Sequence, residues 1–248
     1  MNEAKGATVI ISYFPVRAGR AHYAFSVRRN KMNVLKKYGF YFLLLGAISD
    51  FLTPYILGFF YPEINQLTMV ISVFGDINSP VRQVFLIWSV VSGLLFVLAL
   101  PAIYHAFICT SQPLAILLTA SIGVYGVGDC VFTGLFSINT EQATWTLSTW
   151  IHNIGSGLGY AGFLLFPFFL FLLYRKQKQV MYSKLYFSLL GISLFFAGIY
   201  GLARIPALEQ LPLLNQIGFC QRISFFFNYL PIVIFAIERI KNSKAVDN

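Results

Sequence analysis

Charged residues are scarce in this 248-residue chain, since Asp, Glu, Lys and Arg together make up 11% and hydrophobic residues 57%. Soluble globular domains carry about 25% charged residues, so the composition excludes a soluble protein. Disorder is excluded as well, because 26 Phe and 14 Tyr residues supply more apolar surface than a solvated chain carries. The chain is therefore expected to lie in a lipid bilayer.

Cysteine and histidine are rare too, with three residues of each. Cys109, Cys130 and Cys220 stand singly, without a C-x-x-C pair or a histidine at ligand spacing. This pattern encodes neither a zinc site nor a disulfide framework, and we expect no metal and no cofactor. The net charge of +9 does not indicate nucleic-acid binding, because the basic residues lie between apolar runs rather than on one folded face.

Six apolar runs are long enough to cross a bilayer as helices. A spanning helix needs about 20 apolar residues, and each run far exceeds the about 10 residues of a membrane strand. We therefore predict an all-α polytopic membrane protein with six transmembrane helices in one bundle. The predicted spans are residues 40–60, 84–107, 113–136, 151–174, 185–202 and about 217–237.

Basic residues are distributed unequally between the two sides of these spans. Fifteen of the eighteen Lys and Arg residues fall on the side that holds both chain ends. Because basic segments are retained in the cytoplasm, this distribution predicts cytoplasmic N- and C-termini and a location in the cell membrane. The transmembrane domain is expected at residues 37–238, between a basic N-terminal tail (1–36) and a basic C-terminal tail (239–248).

The N-terminal tail allows two interpretations. It is a disordered or membrane-surface segment, or it lies upstream of the natural start at Met32, because two lysines and an apolar run soon follow this residue. A peptide from the native product that maps upstream of Met32 would exclude the second interpretation.

Small residues recur at helical spacing in two of the spans. Gly155 and Gly159 form a small-x-x-x-small pair, and Gly126, Cys130 and Gly134 follow one side of the preceding span. Helices associate in lipid through close backbone approach at such residues. We predict internal helix contacts here, with a dimerisation face as the alternative.

Ionisable side chains inside a membrane are costly, so each one is a candidate for function. Asp50 lies near the middle of the first span, and His152 opens the fourth. From the rise per residue, Asp129 and Arg222 lie about 10 and about 8 Å below the outer boundary. Their similar depths predict an ion pair between them.

These groups predict an outward-facing polar pocket that binds a small polar molecule or a lipid headgroup without catalysis, with membrane lipids as the other expected partners. Two alternatives are an ion- or proton-coupled transporter, suggested by Asp50, and a membrane-embedded hydrolase that uses Asp129, His152 and a water molecule. In a purely structural interpretation the charges only hold the helices together, with Arg82 and Arg204 reaching to the interface. The candidate ligand-binding residues are Asp50, Ser72, Asp76, Asp129, His152 and Arg222.

Short motifs occur between residues 37 and 178. They are Tyr61-Pro62, Ile71-Ser72-Val73-Phe74-Gly75-Asp76, Ser79-Pro80, Ser92-Gly93, Gly134-Leu135-Phe136 and His152. Together they resemble the membrane-protein family catalogued as domain of unknown function 998. This resemblance implies a single domain with six spans, and it implies no activity.

Overall fold

The computed structural model describes residues 18–140, 144–208 and 210–247, with side chains described from residue 34 to residue 243. These residues form six long helices and two short 3-10 turns, Ile71–Gly75 and Pro206–Leu208, and no strand occurs among them. The helices are α1 (Ala18–Gly58), α2 (Arg82–Phe107), α3 (Gln112–Leu135), α4 (Leu147–Lys176), α5 (Val180–Ala203) and α6 (Ile217–Asp247).

Each of the six helices contains a segment long and apolar enough to cross a bilayer, which confirms the predicted polytopic all-α fold. The predicted boundaries differ most near the chain ends. Helix α1 begins at Ala18 and α6 continues to Asp247, well beyond the apolar runs. Residues 1–17 of the predicted N-terminal tail lie outside the described residues.

The helices form a closed ring. Each helix packs against the next one in the chain, α6 packs against α1, and α4 also touches α6 across the ring. The loops differ strongly in length at the two ends. We call the end with residues 59–81, 136–146 and 204–216 the long-loop end. The other, with residues 108–111 and 177–179, is the short-turn end.

Glycines set the closest helix contacts, as predicted. A Cβ atom at Gly155 would lie 2.8 Å from the carbonyl oxygen of Gly128, and one at Gly159 would lie 2.5 Å from the backbone nitrogen of Asp129. Gly126 and Gly134 approach α2 in the same way. The two small-residue ribbons are therefore internal contacts, which join α3 to α4 and to α2.

Aromatic side chains fill the ring toward the short-turn end. Phe107, Phe163, Phe166, Tyr174 and Phe235 are all fully buried. Burial of such large rings makes this half of the bundle a solid core. Any internal space must therefore lie toward the long-loop end.

Candidate ligand-binding site

A cavity of about 620 Å³ lies inside the ring, in the half nearer the long-loop end. All six helices line it, together with residues 70–72 of the first loop and Trp145 of the second. Binding pockets for small molecules have volumes of about 300–1,000 Å³ and combine apolar walls with a few polar groups. This cavity has that character, since Phe85, Ile154 and Phe225 share its wall with acidic and hydroxyl side chains.

Four of the six residues predicted from the sequence line this cavity. They are Asp50 of α1, Ser72 of the first loop, Asp129 of α3 and His152 of α4. They lie far apart in sequence but meet because each faces the interior of the same half of the ring.

Asp50 joins three helices near the inner end of the cavity. Its Oδ2 atom accepts hydrogen bonds from the hydroxyl groups of Tyr125 on α3, at 2.5 Å, and Tyr229 on α6, at 2.7 Å. The thiol of Cys130 lies 3.5 Å from the same oxygen. These contacts fix the carboxyl group, while its Oδ1 atom has no hydrogen-bond partner in the described part of the chain.

Asp129 lies in a π-helical segment of α3, Tyr125–Phe132. Its Oδ1 atom accepts a 2.5 Å hydrogen bond from the hydroxyl group of Ser156 on α4. The hydroxyl group of Thr133, which also lines the cavity, donates to the backbone carbonyl of Asp129. The side chain is thus held between α3 and α4, and no described residue bonds to its Oδ2 atom.

His152 is 2% exposed and lies in the first turns of α4. Its Nδ1 atom lies 2.8 Å from the carbonyl oxygen of Phe136. Because a carbonyl only accepts, Nδ1 carries the hydrogen and donates it. In the neutral ring, Nε2 is then the atom left with a lone pair for a ligand.

The predicted ion pair between Asp129 and Arg222 is wrong. The guanidinium Nη1 atom of Arg222 instead donates to the carbonyl oxygens of Gln66, Met69 and Gly218, at 2.7 to 3.0 Å. Arg222 is buried and does not line the cavity. It holds the first loop against the start of α6 and is not placed to contact a ligand in this cavity.

Asp76 has a similar role in the loops. Its Oδ1 atom accepts from the backbone N–H of Asn78, and its Oδ2 atom accepts from both the backbone N–H and the hydroxyl group of Thr140. The carboxylate is 4% exposed and is not part of the cavity wall. Asp76 therefore ties the first long loop to the second, which explains its predicted importance without ligand contact.

The predicted set missed several polar residues of the wall, among them Tyr160 of α4, Tyr200 of α5 and Arg204. The rings of Tyr160 and Tyr200 are 5.9 Å apart, and Nη1 of Arg204 donates to the hydroxyl group of Tyr200 at 3.2 Å. Arg204 thus lines the cavity, although the structural interpretation placed it at the lipid interface. The signal available in the sequence was the spacing of Asn153, Ser156 and Tyr160 on one helical face.

Among the described residues, Ser49 and His105 do not form a polar route from Asp50 to the short-turn end. Ser49 accepts a hydrogen bond from the indole of Trp88 and bonds to Ser92. His105 is exposed on the surface of α2. Ser49 lies beside Asp50 on α1, and the aromatic core fills the bundle between the cavity and the short-turn end, so the cavity has polar character at the long-loop half only.

Comparison with known proteins identifies the family of this chain. The model of a family described as protein of unknown function (DUF998) matches residues 44–238, which is most of the chain. No curated protein and no solved structure matches it.

Proposed function

Since the chain belongs to the DUF998 family, whose function is unknown, we propose from the site itself that the protein binds a small polar molecule or a lipid headgroup and catalyses no reaction. The observation that carries this proposal is the cavity of about 620 Å³ onto which Asp50, Asp129 and His152 converge. Their fixed orientations and unoccupied lone pairs give a ligand defined polar contacts before it arrives, and preorganisation of this kind favours binding.

Binding is favoured over hydrolysis by the hydrogen bonds of the polar groups. His152 bonds to a backbone carbonyl and Asp129 to Ser156, and no hydrogen bond joins the two. A general base is expected to be oriented toward a nucleophile by a third group. Within the described residues, neither side chain is held in such an arrangement.

Coupled transport is the second candidate, and Asp50 supports it. This carboxyl group lies at the boundary between the cavity and the aromatic core, and its hydrogen bonds connect α1, α3 and α6. A proton or ion at Asp50 would act on all three helices at once. Asp50→Asn is expected to abolish solute flux into reconstituted vesicles if the protein transports, and flux equal to that of the native chain would exclude Asp50 as the coupling site.

We also propose that the long-loop end faces the cell exterior and that both termini are cytoplasmic, because the basic residues cluster at the short-turn end. Cys109 is exposed at that end, whereas Cys130 and Cys220 are buried. A membrane-impermeant maleimide should label Cys109 only after cells are permeabilised. The control is Cys109→Ser combined with Glu63→Cys, an exposed long-loop position that should react in intact cells. Reversed labelling would overturn the orientation.

The binding proposal is tested by filling the cavity from one residue. Gly157 of α4 lines the cavity, and a Cβ atom there would meet nothing within 4 Å. Gly157→Leu should therefore occupy the cavity without straining the helix. Gly191→Leu is the matched control, since Gly191 has the same open space on α5 and is not part of the cavity wall.

The readout is calorimetric titration of the detergent-solubilised full chain with three probes: ethanolamine, glycerol 3-phosphate and glycerophosphoethanolamine. We expect at least one to bind the native chain and Gly191→Leu, and none to bind Gly157→Leu. If no probe binds, or if Gly157→Leu binds as well as the native chain, the proposal is wrong.

A further inference from the structure

The cavity wall carries a basic group at its rim. Arg204 follows directly after the last residue of α5, so it lies at the long-loop end, and its side chain is exposed. One guanidinium nitrogen donates to Tyr200, whereas a guanidinium has five N–H groups to donate. The only ion pair among the described residues joins Arg239 to Glu238. Arg204 therefore presents an uncompensated positive charge to the cavity in the described part of the chain.

The acidic groups lie deeper. Counted from the helix ends at the rise of an α-helix, Asp129 is roughly 9 Å and Asp50 roughly 12 Å below the long-loop end. Each carboxyl group has one oxygen held by hydroxyl donors and one without a partner among the residues described. Both residues line the cavity, so these two oxygens are available to a donor group that enters it.

The wall between the two depths is aromatic and hydroxylic. Tyr200 contacts Arg204, the ring of Tyr160 packs against that of Tyr200, and Ser156, one helical turn nearer the long-loop end than Tyr160, bonds to Asp129. The ring of Tyr160 also packs at 5.3 Å from that of Phe225. Aromatic faces attract ammonium groups, so this wall suits a cation on its way to the carboxyl groups.

From this arrangement, and on the basis of the proposed function, we infer that the ligand is a zwitterion whose ammonium group binds at Asp129 and Asp50 and whose anionic group binds at Arg204. An anion alone would meet two carboxyl groups at the inner end of the cavity. A cation alone would leave Arg204 without a counter-charge. Partner selection by such unpaired charges is a general source of specificity. The zwitterion chemistry is shared by free solutes and by the headgroup of phosphatidylethanolamine.

The test compares a ligand that carries both charged groups with ligands that carry only one of them. Glycerophosphoethanolamine carries both charges, ethanolamine only the ammonium group, and glycerol 3-phosphate only the anionic group. We expect the first to bind the full chain about tenfold or more tighter than either of the others, since charge-assisted hydrogen bonds at both ends contribute. Arg204→Gln should reduce the affinity for glycerophosphoethanolamine to that for ethanolamine, and Asp129→Asn should reduce it to that for glycerol 3-phosphate.

Arg82→Gln provides the matched control. Arg82 is a basic residue at the same end of the bundle, but it donates to Ser137 and does not line the cavity. This variant should bind glycerophosphoethanolamine as the native chain does. An equal loss in Arg82→Gln and Arg204→Gln would show a general charge effect and overturn the inference.

Failure of the inference is separable from failure of the proposed function. If ethanolamine or glycerol 3-phosphate binds as tightly as glycerophosphoethanolamine, and Gly157→Leu abolishes that binding, the cavity binds ligands but does not select zwitterions. If Gly157→Leu has no effect on any probe, the proposed function itself is wrong.

The same titration, repeated in nanodiscs, distinguishes a lipid headgroup from a free solute as the source of the ligand. Weaker binding of glycerophosphoethanolamine in discs containing phosphatidylethanolamine, relative to discs of phosphatidylglycerol alone, would show competition by the headgroup. Equal binding in both would identify a free zwitterion. Both results support the inference.

Discussion

Replacement of Gly159 by alanine tests the helix contact that positions Asp129. The added Cβ atom would lie 2.5 Å from the backbone nitrogen and 2.6 Å from the Cβ atom of Asp129. Favourable contacts between such atoms occur at about 3.5–4.0 Å, so α3 and α4 would have to separate by about 1 Å. A backbone atom cannot rotate away, and overpacking of this kind costs about 1–3 kcal/mol. Alanine recovers up to about 1 kcal/mol of helix propensity, which leaves a net loss of up to about 2 kcal/mol and a difference of about 1–3 kcal/mol from an alanine without the overpacking.

Gly157→Ala is the control for this measurement, two residues away on the same helix. Its Cβ atom would meet nothing within 4 Å, so only the gain in helix propensity remains. We expect this variant to be as stable as the native chain or up to about 1 kcal/mol more stable. Reversible unfolding in mixed micelles, followed by circular dichroism, measures the free energy of unfolding of both variants. Equal values for Gly159→Ala and Gly157→Ala would refute the close contact of α3 and α4 at Asp129.

Three further results are expected from the loop contacts and the thiols. Asp76→Asn weakens charge-assisted hydrogen bonds to Thr140 and should lower the free energy of unfolding by about 1–2 kcal/mol, while the exposed Glu63→Gln changes it by less than about 0.5 kcal/mol. Arg222→Met removes the donor for two loop carbonyls and for that of Gly218, and should cost about 2–3 kcal/mol or more, with faster proteolysis between residues 59 and 81. In detergent, mass spectrometry after maleimide treatment should find Cys109 modified and the other two cysteines protected until the chain unfolds.

The number of spans could be predicted from the sequence because hydropathy reports the solvent that a helix crosses. The ends of the helices could not be predicted in this way, because a helix can continue into water beyond its apolar part. The basic residues before Phe40 end the apolar run, yet the backbone of α1 is helical from Ala18 onward. The same holds for α6, which continues past its apolar part to Asp247. Hydropathy therefore gives the membrane-crossing part of a helix and not its full length.

The distance of a residue from its helix end could also be predicted, because it follows from the rise per residue, whereas its direction around the helix axis could not. Asp129 and Arg222 lie at similar depths, but Asp129 faces Ser156 and the cavity, and Arg222 faces the first loop. The first loop supplies two carbonyl oxygens to Arg222 and Gly218 of α6 supplies the third, and such backbone acceptors leave no mark in the sequence. Similar depth was thus a necessary condition for the pair and not a sufficient one.

The π-helical segment of α3 explains why the site could not be assembled from regular helices. In an α-helix, residues five apart point about 140° away from each other. A π-turn closes at the fifth residue, so Tyr125 and Cys130 instead lie on one face, and both reach Oδ2 of Asp50. The same segment carries Asp129 to the cavity and to Ser156. One local change of helical period therefore provides both the hydrogen-bond partners of Asp50 and the position of Asp129. No residue type in Tyr125–Phe132 predicts this change from the sequence.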